Sequence, residues 1–146
     1  MVLILQANVG KSVSVLHCIL ETAKERKTDL VIIQEPPTGR GEFAPRHPGF
    51  KILWTTTTEG GPERVATARR VDSDWIFVEE MRFTRAETEG DVQVVRETRR
   101  DGRGTPFRIA NTYFQSVGRG GGPRPAERAQ WDFLLEESSE LPCVVG

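Results

Sequence analysis

The chain has 146 residues, of which 37% are hydrophobic and 28% are charged. This length fits one domain, and the composition excludes wholesale disorder because enough apolar side chains are present to build a core. The 20 Lys and Arg residues nearly balance the 21 Asp and Glu residues, so a strongly basic nucleic-acid-binding coat is excluded. The apolar runs are only a few residues long, and a transmembrane helix needs about 20.

The N-terminus and the cysteines indicate the compartment. No basic region followed by a long apolar stretch opens the chain, so no secretory signal is predicted. The two cysteines, Cys18 and Cys143, are far apart and form no CxxC pair, which excludes a disulfide scaffold and a cysteine zinc site. We therefore expect an intracellular protein, in the nucleus or the cytoplasm, with no membrane partner.

The first third of the chain predicts a βαβ unit. Residues 2–6 and 30–34 are apolar runs typical of buried strands. Ser12 or Ser14 is suited to cap a helix that runs to about Lys27. Its predicted core face consists of Val13, Leu16, Ile19, Leu20 and Ala23. Two strands joined by a helix in this way are normally parallel, with a right-handed connection.

The rest of the chain predicts a strand-rich middle followed by a helix and a strand. Strands are expected at 50–55, 65–70, 75–78, 92–98 and 107–114, with a hairpin signal at 100–104. A glycine-rich loop at 118–122 precedes a predicted helix at 126–137 and a last strand at 141–146. This order describes one α/β domain with a meander in its middle.

The segment Gly10-Lys11-Ser12 lies between a predicted strand and a predicted helix, where a phosphate-binding loop would lie. That motif needs a further glycine five residues earlier, and Leu5 stands there. Without this glycine, backbone amides cannot wrap a phosphate. We therefore interpret Lys11 as a basic surface residue at a helix N-terminus.

Glu35 and Asn8 are candidate site residues at strand ends. Glu35 follows the apolar run at 30–34, and ligands gather beyond the carboxyl ends of parallel strands. A carboxylate there is suited to a hard cation such as Mg²⁺. Asn8 lies just past the first predicted strand and would share the same edge. The alternatives are a solvent-exposed strand-end Glu35 and an Asn8 that makes only a local turn bond.

Asn111 and Tyr113 alternate with their neighbours, so both point to one face of their predicted strand. A Tyr hydroxyl at such an edge can bond a phosphate oxygen, whereas the alternative is a core residue with a satisfied hydroxyl.

The remaining polar and aromatic signals favour structural roles. His17 and His47 lack metal-ligand company and are expected to be structural or surface residues. The charged stretch at 97–103 is expected to be a solvated hairpin. Trp54, Trp75 and Trp131 are expected to serve packing.

Several segments together resemble the endonuclease/exonuclease/phosphatase superfamily. The likeness is greatest to the apurinic-type endonuclease domain at the N-terminus of non-LTR retrotransposon polyproteins, especially fungal ones. The segments that carry it are Leu5-Gln6-Ala7-Asn8-Val9, Val31-Ile32-Ile33-Gln34-Glu35-Pro36, Ile109-Ala110-Asn111-Thr112-Tyr113 and Leu141-Pro142-Cys143-Val144-Val145-Gly146, in the family's order. The segment at 65–70 resembles the strand before the middle of that domain.

The resemblance implies a fold and a site. The fold would be a four-layer α/β/β/α sandwich with two packed sheets and helices outside. Glu35 matches the family's ligand for Mg²⁺ (or Mn²⁺), Asn8 matches the Asn beside the metal, and Tyr113 matches the Tyr that orients the scissile phosphate. Asn111 is expected to contribute to substrate binding with Tyr113. The implied activity is metal-dependent hydrolysis of DNA.

The sequence departs from the family at its end. In the family, the strand that matches 143–146 runs into an Asp-x-Asn motif that positions the nucleophile, and an Asp-His pair follows later. Residues 1–146 are therefore expected to form a single partial domain, the truncated first half of the sandwich. We expect little or no hydrolysis from this chain alone. We also expect self-association or a partner that supplies the missing half, because an uncovered apolar sheet face is rare on soluble monomers.

Two alternatives remain open. The first is a non-catalytic module that binds nucleic acid or protein. The second is another phosphoesterase of the same superfamily that acts on phosphoinositides or small phosphates; competition between DNA and a soluble phosphate ester would separate it from a nuclease.

Overall fold

The structure, a computed structural model, describes residues 1–37, 44–55, 64–82, 92–113 and 143–145. The predicted loop at 118–122, the predicted helix at 126–137 and Trp131 lie outside these residues. In the described ranges, no helix is long and apolar enough to cross a membrane. The elements are β1 (Ile4–Asn8), α1 (Val13–Glu25), β2 (Leu30–Gln34), β3 (Phe50–Trp54), β4 (Val65–Arg70), β5 (Trp75–Arg82), β6 (Val92–Arg99), β7 (Phe107–Thr112) and β8 (Cys143–Val145).

The first sheet contains β1 to β4 in the order β1-β2-β4-β3. β1 and β2 are parallel, as the βαβ pattern predicts, and β4 is antiparallel to β2 and to β3. β1 begins two residues later than predicted because Leu3 hydrogen-bonds to Asp29 and Leu30 ahead of the strand. The ladder with β2 extends to the pair Asn8–Gln34, so Asn8 is the last residue of β1 rather than a loop residue.

Helix α1 packs on one face of this sheet. Ser12 caps it, with its hydroxyl accepting from the backbone N–H of Val15 at 3.3 Å. Leu16, Leu20 and Ala23 are buried against the sheet. Val13 was predicted on this face but is 48% exposed, so the core face begins one turn later, at Leu16.

The second sheet has the order β5-β6-β7-β8 and packs on the other face of the first sheet. β5, β6 and β7 form the predicted antiparallel meander, and β8 is parallel to β7. Leu30 and Ile32 of β2 contact Val95 and Ile109 of the second sheet in a buried apolar cluster. These three layers agree with the predicted sandwich, and its fourth layer stays a prediction because the helix at 126–137 lies outside the described residues.

A polar contact is buried in the interface between the sheets. The Thr67 hydroxyl donates to Gln93 Oε1 at 2.6 Å, and Gln93 Nε2 donates to the backbone carbonyl of Leu53 at 3.1 Å. Thr67 and Gln93 have no exposed surface. Because an unpaired buried polar group is destabilising, these bonds favour one alignment of the two sheets.

His47 has the structural role that its isolation predicts. Its ring is buried, and Nε2 lies 2.9 Å from a carboxylate oxygen of Glu21 on α1. The backbone N–H of Gly49 donates to Nδ1 at 3.1 Å, so Nε2 is the nitrogen that carries the proton. His47 therefore ties the segment before β3 to the helix.

Glu97 contradicts the prediction of a solvated charged hairpin. It is only 1% exposed, because it lies on the face of β6 that Gln93 and Val95 also use to meet the first sheet. Burial raises the pKa of its carboxyl from 4.5 to about 8, against the opposing effect of the Arg69 charge. The exposed part of the hairpin begins at Arg99.

Replacing Glu97 with Gln is expected to stabilise the fold at alkaline pH. Between 4.5 and about 8, the folded chain keeps a proton on Glu97 that the unfolded chain has released, so stability falls as the pH rises. Thermal unfolding from about pH 5 to pH 8.5 measures this. As the pH rises over this range, the Tm of the unaltered chain should fall relative to the Tm of the Glu97→Gln variant. The exposed control Glu25→Gln should follow the unaltered chain, and parallel Tm curves for Glu97→Gln would refute the burial effect.

Candidate functional site

Strand register brings the predicted site residues to one end of the sandwich. Asn8 is paired with Gln34 in the β1–β2 ladder, and Glu35 follows Gln34 directly. Tyr113 follows the last residue of β7 in the second sheet. We use the term rim for Asn8, Lys11, Glu35, Arg64 and Tyr113 at this end.

A hydrogen bond between the sheets joins two rim residues. The Tyr113 hydroxyl donates to Oε1 of Glu35 at 2.6 Å, and both residues are half-buried. A bond of this length between a hydroxyl and a carboxylate is charge-assisted and orients the carboxylate. It uses one lone pair of Oε1, so the carboxylate keeps acceptor positions on both oxygens for a ligand.

The backbone of Glu35 is held in a strained conformation. Its φ is +48°, in the left-handed region that residues other than glycine rarely adopt. Its N–H donates to the carbonyl of Arg64 at 2.8 Å, and its own carbonyl accepts from the N–H of Lys11 at 2.7 Å. Strain of this kind is frequent at functional sites, where the surrounding structure maintains it. The Lys11 amide is thereby engaged, in agreement with the rejection of a phosphate-binding loop.

Asn8 is exposed at the rim. Its Oδ1 accepts from the backbone N–H of Gly10 at 2.9 Å, so the local turn bond considered from the sequence is present. An amide oxygen has a second lone pair, so this bond is compatible with a contact to a cation. The predicted role of Asn8 beside a metal stays a prediction.

Asn111 lies below the rim, inside the interface between the sheets, with no exposed surface. Its Nδ2 donates to the carbonyls of Ile33 and Ala66 at 3.2 and 2.9 Å. Close by, Gln34 Nε2 donates to the carbonyl of Thr112 at 2.8 Å. These bonds align the end of β2 with the end of β7. The geometry thus gives Asn111 a positioning role for Tyr113, while the substrate contact predicted for it stays a prediction.

Arg64 is a rim residue that the sequence analysis did not identify. Its guanidinium carbon lies 5.7 Å from the centroid of the Tyr113 ring, within the range of a cation–π contact. Arg64 directly precedes β4, and β4 is antiparallel to β2, so its start lies beside the end of β2. Antiparallel pairing of these two strands was the signal that could have located it.

The donor set of the rim fits a hard divalent cation. In the described parts of the chain, no group of three or more His, Cys, Asp and Glu side chains is gathered that could hold a metal ion. The rim offers one oriented carboxylate and one amide oxygen. Mg²⁺ is commonly held by one or two carboxylates together with water and substrate phosphate, whereas zinc requires more protein ligands.

Comparison with known proteins agrees with the fold. No protein-family model and no curated protein matches the sequence. Among solved structures, the chain is similar to the endonuclease domain of TRAS1, a telomere-specific non-LTR retrotransposon, with a TM-score of 0.66 and 19% identity. The match covers 98% of this chain and 56% of that chain, so this chain spans little more than half of that chain's length. The likeness to a retrotransposon endonuclease domain inferred from the sequence is confirmed at the level of the fold.

The left-handed backbone of Glu35 predicts that glycine is more stable than alanine at this position. Both substitutions remove the carboxylate, so their difference isolates the backbone. Glu35→Gly should exceed Glu35→Ala by about 1 kcal/mol in the free energy of unfolding. Denaturant unfolding measures the difference. At the exposed strand residue Lys51, the same pair should show the reverse order, and alanine being the more stable at both positions would exclude the strain.

Proposed function

We propose that this chain is part of a Mg²⁺-dependent DNA endonuclease of a retroelement, in which Glu35 binds the metal and Tyr113 orients the phosphate. The observation that carries the proposal is the 2.6 Å hydrogen bond from Tyr113 to Glu35, which joins a strand end of each sheet. The similarity in fold to the endonuclease domain of TRAS1 supports the choice of nuclease chemistry. Mn²⁺ would replace Mg²⁺ because it accepts the same oxygen ligands.

Three of the rim residues have distinct parts in this proposal. Glu35 presents its carboxylate to the cation, and Asn8 adds its amide oxygen beside it. The Tyr113 hydroxyl has one proton to donate, so on substrate binding it would exchange its bond to Glu35 for one to an oxygen of a phosphate held beside Glu35. When bound, the cation would polarise the phosphate and neutralise the charge that develops on the leaving oxygen.

Hydrolysis also needs a base to activate water, and the 146 residues contain no Asp-x-Asn sequence. We therefore propose that these residues by themselves hold the cation and contact DNA but hydrolyse it little. A carboxylate from another polypeptide segment, or from a partner, would act as the base. DNA is the proposed partner of the rim.

Mn²⁺ is expected to bind at Glu35. In a ¹⁵N-labelled sample, Mn²⁺ should broaden the amide signals of residues next to Glu35, Asn8 and Tyr113 more than those of the hairpin at Gly102. Glu35→Gln should abolish this local broadening because it removes the charged ligand while keeping the shape. Glu25→Gln, a matched change at the end of α1, should leave it intact. Equal broadening in Glu35→Gln would show that the cation binds elsewhere.

Plasmid nicking tests the reaction. The 146 residues with Mg²⁺ are expected to nick supercoiled DNA no faster than buffer does. In a polypeptide that joins them to an Asp-x-Asn segment of this fold, Glu35→Gln should reduce nicking by more than about 100-fold, since even indirect partners of metal ligands contribute up to about that much. Tyr113→Phe should reduce nicking to a smaller extent. Nicking at the unaltered rate by the Glu35→Gln protein would refute the role of Glu35.

A further inference from the structure

Both backbone hydrogen-bond partners of Glu35 are basic residues. Arg64 accepts from the Glu35 N–H at 2.8 Å on one side, and Lys11 donates to the Glu35 carbonyl at 2.7 Å on the other. These bonds join main-chain atoms, so they place the backbone of each basic residue beside the backbone of Glu35. Lys11 and Arg64 therefore stand on either side of Glu35 along the rim, at an end of the sandwich where Lys11 is exposed.

The side chain of Arg64 also lies against the catalytic candidates. Its guanidinium carbon is 5.7 Å from the centroid of the Tyr113 ring, and the Tyr113 hydroxyl bonds Glu35. A planar, permanently charged group thus lies at the ring of the residue whose hydroxyl bonds the Glu35 carboxylate. A guanidinium fork matches the oxygen geometry of a phosphate.

Lys11 contributes a positive charge on the other side of Glu35. It is exposed, and its φ of +60° turns the chain sharply between β1 and α1. A lysine with a positive φ is less favourable than a glycine, which adopts such values readily. The neighbouring Gly10 has a φ of +53°. This placement of a cation gives a carboxylate-bearing surface a means to attract a polyanion that Glu35 alone would repel.

Two other arginines of the described chain, Arg70 and Arg99, form ion pairs with carboxylates far from the rim. Arg70 contacts Asp29 and Asp72 at 3.1 and 3.2 Å, and Arg99 contacts Asp101 at 3.1 Å. Both lie at the opposite end of their sheets, since β4 and β6 run away from the rim toward these residues. Arg70 and Arg99 therefore serve structural ion pairs and not a phosphate-binding surface.

We propose that Arg64 and Lys11 bind the sugar–phosphate backbone of a DNA duplex, with one phosphate beside Tyr113 at Arg64 and another on the Lys11 side of Glu35. This inference rests on the proposed function and adds the residues that hold the substrate at the rim. Arg64 and Lys11 position the strand, and their contacts are independent of base sequence.

The salt dependence of DNA binding tests the proposal. The 146-residue protein is titrated onto a fluorescein-labelled duplex of about 20 base pairs, and anisotropy is measured from about 50 to about 200 mM KCl. The slope of log affinity against log salt is negative, and Arg64→Gln and Lys11→Gln should each reduce its magnitude by about 0.9, and the double variant by about 1.8. Arg103→Gln in the hairpin and Lys51→Gln on β3 are the matched controls and should leave the slope unchanged.

A conservative variant separates charge from shape. Arg64→Lys should keep the salt slope of the unaltered chain, because the charge is kept. Its affinity should still be lower, because the guanidinium fork and the contact with the Tyr113 ring are lost. A purely structural role for Arg64 would lower the Tm and leave the slope unaltered, so thermal melts of every variant accompany the titrations.

The outcomes separate this inference from the function it rests on. Salt-dependent binding by the unaltered chain, with Arg64→Gln and Lys11→Gln indistinguishable from the two controls, would overturn the phosphate contacts and leave the proposed function standing. Failure of the unaltered chain to bind the duplex even at the lowest salt would overturn both. A reduced slope in the two rim variants alone would establish the contacts.

Discussion

The rim depends on the packing of two sheets, because the hydrogen bond from Tyr113 to Glu35 joins residues that are 78 positions apart. Neither strand end could hold the other without the apolar contact of Leu30 and Ile32 with Val95 and Ile109 beneath it. A shift of one residue in either strand would turn its side chains to the opposite face and separate the pair. The site is therefore a product of register as much as of residue type.

Buried polar groups determine that register. Apolar packing is non-directional and tolerates small shifts, whereas the bonds of Gln93 to Thr67 and of Asn111 to Ile33 and Ala66 are directional. Asn111 lies on β7 two residues before Tyr113, which directly follows the strand, so its bonds fix the end of β7 from which Tyr113 extends. The interior of the sandwich thus stabilises the geometry that its exposed end requires.

The rim combines a carboxylate with basic neighbours, and the main chain brings their backbones together. Glu35 adopts a left-handed φ, and its two backbone hydrogen bonds place Lys11 and Arg64 on either side of it. In the proposed function this carboxylate binds a cation, while the basic neighbours suit the phosphates that a DNA strand would bring. The strain at Glu35 destabilises the folded state, and the apolar cores around α1 and between the sheets offset this cost.

Local patterns in the sequence were enough to determine the β2 and β4 strands, the βαβ unit, the meander and the shared edge of Asn8 and Glu35. These features follow from periodicity and from the rule that parallel strands end together. The place of Tyr113 at the same site was implied by the resemblance, because β7 lies in the other sheet and local patterns do not show how two sheets pack. Local patterns misplaced Glu97, Val13 and the start of β1, and they missed Arg64. Each of these depends on contacts between segments far apart in the chain: the burial of Glu97 needs the first sheet opposite it, and the position of Arg64 needs antiparallel pairing of β4 with β2. Residue type and spacing establish which groups can act, but only the packed sheets decide which of them touch, because distances across a sandwich are determined by strand order and register.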